Sequence, residues 1–158
     1  MTDARFEDAD EGPLSLMAAD VADLRVISAL VQDAVFPATE MRYEPRRRDF
    51  ALLLNRFRWE DRAAAEAAGR AYERVRAVLS FGDVLAVRTQ GIRRGDPDLI
   101  LSLLAVDFAP AADGAGTVTL TLAGDGAIAL EVEALNAALR DVTRPYRAPS
   151  GRVPDHGP

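Results

Sequence analysis

The sequence predicts an α+β domain built mainly of antiparallel strands, about eight or nine in number, that form a curved sheet or a barrel with two helices. Three observations predict this fold. Several short segments alternate apolar and polar residues with the two-residue period of a strand, most regularly in residues 117–122. Turn-forming residues such as Gly82 and Gly124 separate these segments. One segment, residues 21–31, instead carries an apolar stripe with helical spacing.

The first half of the chain is predicted to contain that helix and a hairpin. Asp20 is a suitable N-cap for the helix, and Asp23 completes an acidic capping pattern. Residues 61–71 contain six alanines and form either a short surface helix or a mobile connection, and the lack of a large apolar anchor favours the mobile connection. The strands predicted in this half are residues 14–18, 34–36, 40–43 and 50–59, with a turn at residues 44–48.

The second half shows the strand pattern more clearly. A Gly-Asp-Gly turn at residues 124–126 joins two alternating segments into a hairpin. Residues 134–142 are predicted to form the last helix, which Pro145 ends. The strands predicted in this half are residues 74–81, 84–92, 99–108, 117–122 and 127–132.

These elements predict one domain over residues 13–143. The acidic residues 1–12 are expected to be disordered, and residues 144–158 are expected to be a flexible tail. A curved sheet capped by a C-terminal helix would be similar to a pleckstrin-homology barrel, an analogy of fold that carries no function.

Composition excludes several kinds of site. The chain has no cysteine, which excludes disulfides and thiolate chemistry, and its one histidine, His156, lies in the predicted tail. All 19 basic residues are arginine. The net charge of −6 arises within residues 1–23, so the rest of the chain is neutral and we expect no nucleic-acid binding. No apolar run is long enough to span a membrane, and we expect a cytoplasmic location.

Four segments, residues 30–35, 54–60, 84–92 and 101–106, are together similar to an uncharacterised alphaproteobacterial family, the domain of unknown function numbered twenty-nine forty-eight. The resemblance covers about residues 14–142. It implies a shared fold and a bacterial cytosolic setting, and it supplies no catalytic residue.

Two groups of polar residues are candidate binding residues. The first is an Arg/Trp hairpin, in which the guanidinium groups could bind an anion or an acidic peptide while the indole stacks on a ligand. The alternative is a solvated turn and a charged edge strand that resists unwanted pairing. The second group lies at the ends of elements, where such side chains often satisfy backbone groups instead. The first group is Arg46, Arg47, Arg48, Arg56, Arg58 and Trp59, and the second is Gln32, Asp33 and Asn55.

The sequence names no catalytic residue, no metal ligand and no cofactor. We therefore expect a non-enzymatic protein-interaction domain whose partner is another protein or a second copy in a homodimer. The first alternative is a binder of a small anionic ligand through the Arg/Trp hairpin. The second is an enzyme that uses only carboxylates and arginine.

Overall fold

A computed structural model describes residues 13–93, 96–149 and 151–154, and within these ranges the chain forms two α-helices and eleven strands. The helices are α1 (Val21–Leu30) and α2 (Arg62–Ala68). The strands are β1 (Ser15–Ala18), β2 (Val35–Pro37), β3 (Met41–Glu44), β4 (Asp49–Phe57), β5 (Glu73–Phe81), β6 (Val84–Gln90), β7 (Ile100–Pro110), β8 (Gly116–Leu122), β9 (Ala127–Val132), β10 (Ala137–Asp141) and β11 (Tyr146–Arg147).

All the strand pairs are antiparallel and belong to one sheet that does not close. The sheet order is β1-β10-β5-β4-β2-β7-β8-β9-β6, with β3 also paired to β4 and β11 paired to β5. The long strand β4 lies near the middle of this order. It pairs along its whole length with β5 on one side, whereas β3 and β2 share its other side. The predicted α+β fold with a curved antiparallel sheet is therefore confirmed.

One face of the curved sheet encloses the hydrophobic core, and α1 packs against the same core. Strands β8 and β9 bury every second residue, as their alternation predicts. The Asp20 side chain accepts a hydrogen bond from the Asp23 backbone N–H at 2.8 Å, which confirms the predicted N-cap. The helix then contributes Leu24, Ile27 and Leu30 to the core.

The predicted C-terminal helix is wrong. Residues 137–141 instead form β10, which pairs with β1 on one side and β5 on the other. Ala137 and Leu139 are buried on the core face, so the two-residue period fits this segment as well as the helical one does. Pairing with two neighbouring strands overrides the helix propensity of alanine and leucine. The described part of the chain therefore lacks the C-terminal capping helix on which the comparison with a pleckstrin-homology barrel depended.

The second helix lies instead where a mobile connection was predicted. Ala65 is buried, and the Arg70 guanidinium donates two hydrogen bonds to the Asp61 carboxylate at 2.6 and 2.7 Å. Gly69 ends the helix in the left-handed conformation that favours glycine, with φ of 65°. This short helix is therefore anchored by one small buried side chain and an ion pair, neither of which requires a large apolar residue.

The first residues of the expected flexible tail contact the sheet. Tyr146 pairs with Arg74 and Arg147 with Glu73 in the register of β11 and β5, and Ala148 is buried. The predicted disorder of residues 1–12 and the role of His156 fall outside the described residues. Across the described part of the chain, no helix is long and apolar enough to cross a membrane.

Candidate functional site

The structure divides the predicted Arg/Trp hairpin between the two ends of β4. Arg46, Arg47 and Arg48 lie in the turn before this strand, whereas Arg56, Arg58 and Trp59 lie at its far end. A strand of nine residues spans about 26 Å. The turn arginines are exposed, and Arg48 donates a hydrogen bond to Glu133 at 2.9 Å. The two halves therefore cannot form one site.

Arg56 is completely buried, on the same face of β4 as the core leucines. Its Nε and Nη2 atoms each donate to Asp141 at 3.0 Å, and its Nη1 and Nη2 atoms donate to Glu60 at 2.8 and 2.7 Å. Burial acts to lower the pKa of Arg56, but the hydrogen bonds to Glu60 and Asp141 outweigh burial and raise that pKa. The charge is therefore held inside the domain by two carboxylates.

The pairing continues outward from Arg56 into a group that we call the buried ion cluster, whose inner members are buried and whose outermost member, Arg70, is exposed. Arg58 donates to Glu73 and lies 3.8 Å from carboxylate oxygens of Glu60 and Asp61. The hydrogen bond from Arg70 lowers the pKa of Asp61, against the opposing effect of burial. Because carboxylates already pair with these guanidinium groups, the cluster acts as a structural element. Its members are Arg56, Arg58, Arg70, Glu60, Asp61, Glu73 and Asp141.

Trp59 and Gln32 also contact each other within the domain. The indole Nε1 of Trp59 donates to the backbone carbonyl of Gln32 at 2.9 Å. The Phe57 ring meets the Trp59 ring edge-on, with centroids 4.8 Å apart. These contacts fix the turn that follows β4 and occupy the indole that was predicted to stack on a ligand.

Asn55, in contrast, lies on the outer face of β4, away from the core. Its Oδ1 accepts from Arg74 Nε at 2.6 Å, its backbone carbonyl accepts from Arg74 Nη2 at 3.0 Å, and its Nδ2 donates to the Tyr146 hydroxyl. Burial lowers the pKa of Arg74, although the guanidinium remains a cation at neutral pH. Asn55 thus joins β4, β5 and β11 at the surface.

This asparagine lines an elongated outer groove formed by three adjoining depressions of about 340, 270 and 190 Å³. The first and second share Val35, and the second and third share Glu40 and Leu53. The charged residues along it are Arg42, Arg74, Arg76 and Arg152, against Asp33 and Glu40. Among the residues that the structure describes, the lining of the groove therefore carries two more positive than negative charges.

Apolar side chains that remain open to solvent lie between these charges. Ile100 is 58% exposed and Val35 is 37% exposed, beside the half-buried Leu53. Within the described residues, no carboxylate lies within 4 Å of the guanidinium groups of Arg42 or Arg76. The groove therefore offers unpaired cations and apolar surface together.

The sequence matches the family described as "Protein of unknown function (DUF2948)" over residues 14–156. The chain belongs to this family. The match runs from β1 to beyond β11 and so includes both the groove and the ion cluster of this DUF2948 domain. Neither the comparison with curated proteins nor that with solved structures found a match.

Of the residues predicted as binding residues, only Asp33 and Asn55 line the groove of the DUF2948 domain. Arg74, Arg76 and Ile100 were missed, although the alternation in β5 places Arg74 and Arg76 opposite the core residues Val75 and Ala77. The groove supplies guanidinium donors and an apolar floor, which are suited to binding. In the described ranges, no three His, Cys, Asp or Glu residues are placed to hold a metal ion.

Proposed function

We propose that this chain is a non-enzymatic protein-interaction domain and that the outer groove is its binding surface. The observation that carries the proposal is the exposure of Ile100 and Val35 next to Arg76, a cation without a carboxylate partner in the described structure. Exposed apolar surface rimmed by polar residues is typical of interaction sites. Arginine beside such surface is the combination enriched at the centres of protein interfaces.

Binding of a small anion through the Arg/Trp hairpin receives less support from the geometry. Arg56 and Arg58 are engaged by carboxylates in the buried ion cluster, and Trp59 donates to a backbone carbonyl. The groove is also open and elongated, whereas small-molecule sites enclose most of their ligand. A protein segment lying along the surface would contact more of this elongated groove than a compact ligand would.

Matched substitutions of two exposed apolar strand residues test the proposal. Ile100 lies in the groove, and Leu85 on β6 is similarly exposed, at 50%, but lies outside it. The tagged full chain is used to isolate binding proteins from cells of its source organism, and each protein is then purified and its affinity measured by calorimetry. We expect Ile100→Asp to weaken binding at least tenfold, because the substitution removes apolar burial and leaves a desolvated charge.

Leu85→Asp should bind as the unchanged chain does. Equal affinities for the Ile100→Asp and unchanged chains would remove the groove from the interface. Failure of every purified candidate to bind the unchanged chain would contradict the interaction function itself.

A further inference from the structure

We infer that the partner segment of the outer groove is an extended acidic peptide with apolar side chains between its carboxylates. This inference rests on the proposed function and names the chemistry of the partner. It follows from three features of the groove: an interrupted strand ladder, unpaired arginines, and apolar surface between them.

The interruption lies on the β4 edge that β2 and β3 share. Leu52 pairs with Met41 of β3, and Asn55 pairs with Val35 of β2. Between these pairs, a single 3₁₀ turn, Ala38–Glu40, takes the place of a strand beside Leu53 and Leu54. The central depression of the groove opens at this break, where Leu53 and Leu54 line it, and it offers a bound segment a recess in the sheet surface.

The charged residues of the groove favour a partner segment of negative charge. Arg76 lines the central depression and Arg42 lines the next one along the groove. Glu40 borders both depressions, so a cationic segment would meet one carboxylate and two guanidinium groups, whereas an acidic segment meets the opposite balance. Guanidinium groups bind carboxylates with paired hydrogen bonds, which gives an acidic segment directional contacts as well as attraction.

The apolar floor of the groove favours a partner that has apolar side chains in addition to charged ones. Val35, Leu53 and Ile100 line the central depression between the arginines. An extended peptide directs successive side chains to opposite sides, so alternate residues can face this floor while those between them reach the rim. A purely acidic peptide would leave the floor uncovered.

A second copy of the chain fits this surface less well. In a symmetric dimer formed through the groove, each patch faces the same patch of the other copy. The excess of arginine over carboxylate in the groove would then be set against itself. Charge complementarity therefore favours an acidic partner.

Three labelled decapeptides of defined sequence provide the probes, with the full chain titrated against each by fluorescence anisotropy. One alternates Asp with Leu, one alternates Lys with Leu, and one alternates Asp with Ser. We expect the Asp/Leu peptide to bind at least tenfold more tightly than the other two. Its affinity should fall several-fold when salt rises from 50 to about 300 mM, because salt screens charge attraction.

Variants in which arginines are replaced by glutamate test whether the peptide binds in the groove. Arg42→Glu with Arg76→Glu should weaken Asp/Leu binding at least tenfold, whereas Arg25→Glu, at an exposed position on α1, should leave it within twofold. Unchanged thermal melting of each variant shows that it is folded. Equal binding of the Asp/Leu and Lys/Leu peptides, or equal losses in the two charge variants, would overturn the inference. These outcomes leave the proposed function standing if Ile100→Asp still weakens binding of a purified partner.

Discussion

Arg56 and Asp141 lie 85 positions apart in the sequence, yet their side chains form two parallel hydrogen bonds of 3.0 Å inside the domain. Asp141 also accepts a hydrogen bond from the Leu14 backbone N–H at 3.2 Å, and its own N–H donates to the Leu14 carbonyl at 2.9 Å. One carboxylate therefore ties the central strand β4 to β10 and to the residue that precedes β1. The buried ion cluster joins parts of the sheet that are distant along the chain.

Replacing Arg56 with methionine should lower the free energy of unfolding by about 3–5 kcal/mol, because Glu60 and Asp141 would remain buried without their shared cation. Urea unfolding measures this difference. Arg48→Met is the control, since the ion pair of Arg48 with Glu133 is exposed and should be worth less than about 1 kcal/mol. Similar losses of unfolding free energy in the two variants would show that burial does not determine how much the ion pairs of Arg56 stabilise the domain.

The acid sensitivity of the domain should depend in part on Arg70. The hydrogen bond from Arg70 lowers the pKa of Asp61 in the folded state. A lowered pKa contributes stability at pH values above the ordinary aspartate pKa of about 3.9, and this contribution is lost as the pH falls through the folded-state pKa. In Arg70→Gln the pKa should return toward its ordinary value. The free energy of unfolding should then fall less steeply below about pH 4 than in the unchanged chain.

Urea unfolding between about pH 2 and pH 7 gives both pH profiles. Arg62→Gln is a suitable control, because Arg62 and its partner Glu66 are both exposed and about half accessible to solvent. The explanation fails if Arg70→Gln keeps the full acid dependence, since another carboxylate would then carry it.

Local patterns predicted much of the fold. Strand β9 has the predicted bounds, β8 begins one residue earlier than predicted, and α1 begins after its predicted N-cap. These elements were predictable because turn residues, a capping side chain and a regular period all act over a few positions. For residues 134–142, alanine and leucine satisfy both periods, and only the neighbouring strands decide between them.

The candidate site was less predictable, because pairing across the sheet decides which polar residues are free. Nothing near Arg56 in the sequence identifies Asp141 as its partner, so this arginine resembled a surface cation. Arg76 lies outside the predicted hairpin, and it reaches the groove only because β5 pairs with β4, with Arg76 opposite Asn55. The distribution of free and engaged arginines is therefore a property of the topology.

The end of α2 should be sensitive to the residue at position 69. Gly69 has φ of 65°, and a Cβ atom added there would meet nothing within 4 Å. Only the backbone conformation therefore opposes a larger residue, and Gly69→Ala should cost about 1–2 kcal/mol in urea unfolding. Gly69→Asn should cost less, because asparagine tolerates this conformation. Equal costs for the two substitutions would contradict a conformational cause.

The homodimer expected from the sequence remains a prediction, and the outer edge of β1 is the surface on which we test it. Strand β1 stands at one end of the sheet order, and Met17 on it is 49% exposed. Two such edges can pair across a twofold axis and continue the sheet. Light scattering at high micromolar concentration should report twice the monomer mass, and Met17→Arg should shift it toward the monomer. A single monomeric mass for the unchanged chain would reject the homodimer.

Strand β11 should contribute measurably to stability. Deleting residues 145–158 removes its pairing with β5, the buried Ala148 and the hydrogen bond between the Tyr146 hydroxyl and Asn55. We expect the Tm to fall by more than about 5 °C in calorimetry. Tyr146→Phe, which removes only the hydroxyl, should cost about 1 kcal/mol, whereas Arg147→Ala at an exposed position should cost almost nothing. If the truncated chain melts with the unchanged one, the contacts of β11 add nothing to the domain, and the segment behaves in solution as an unanchored tail.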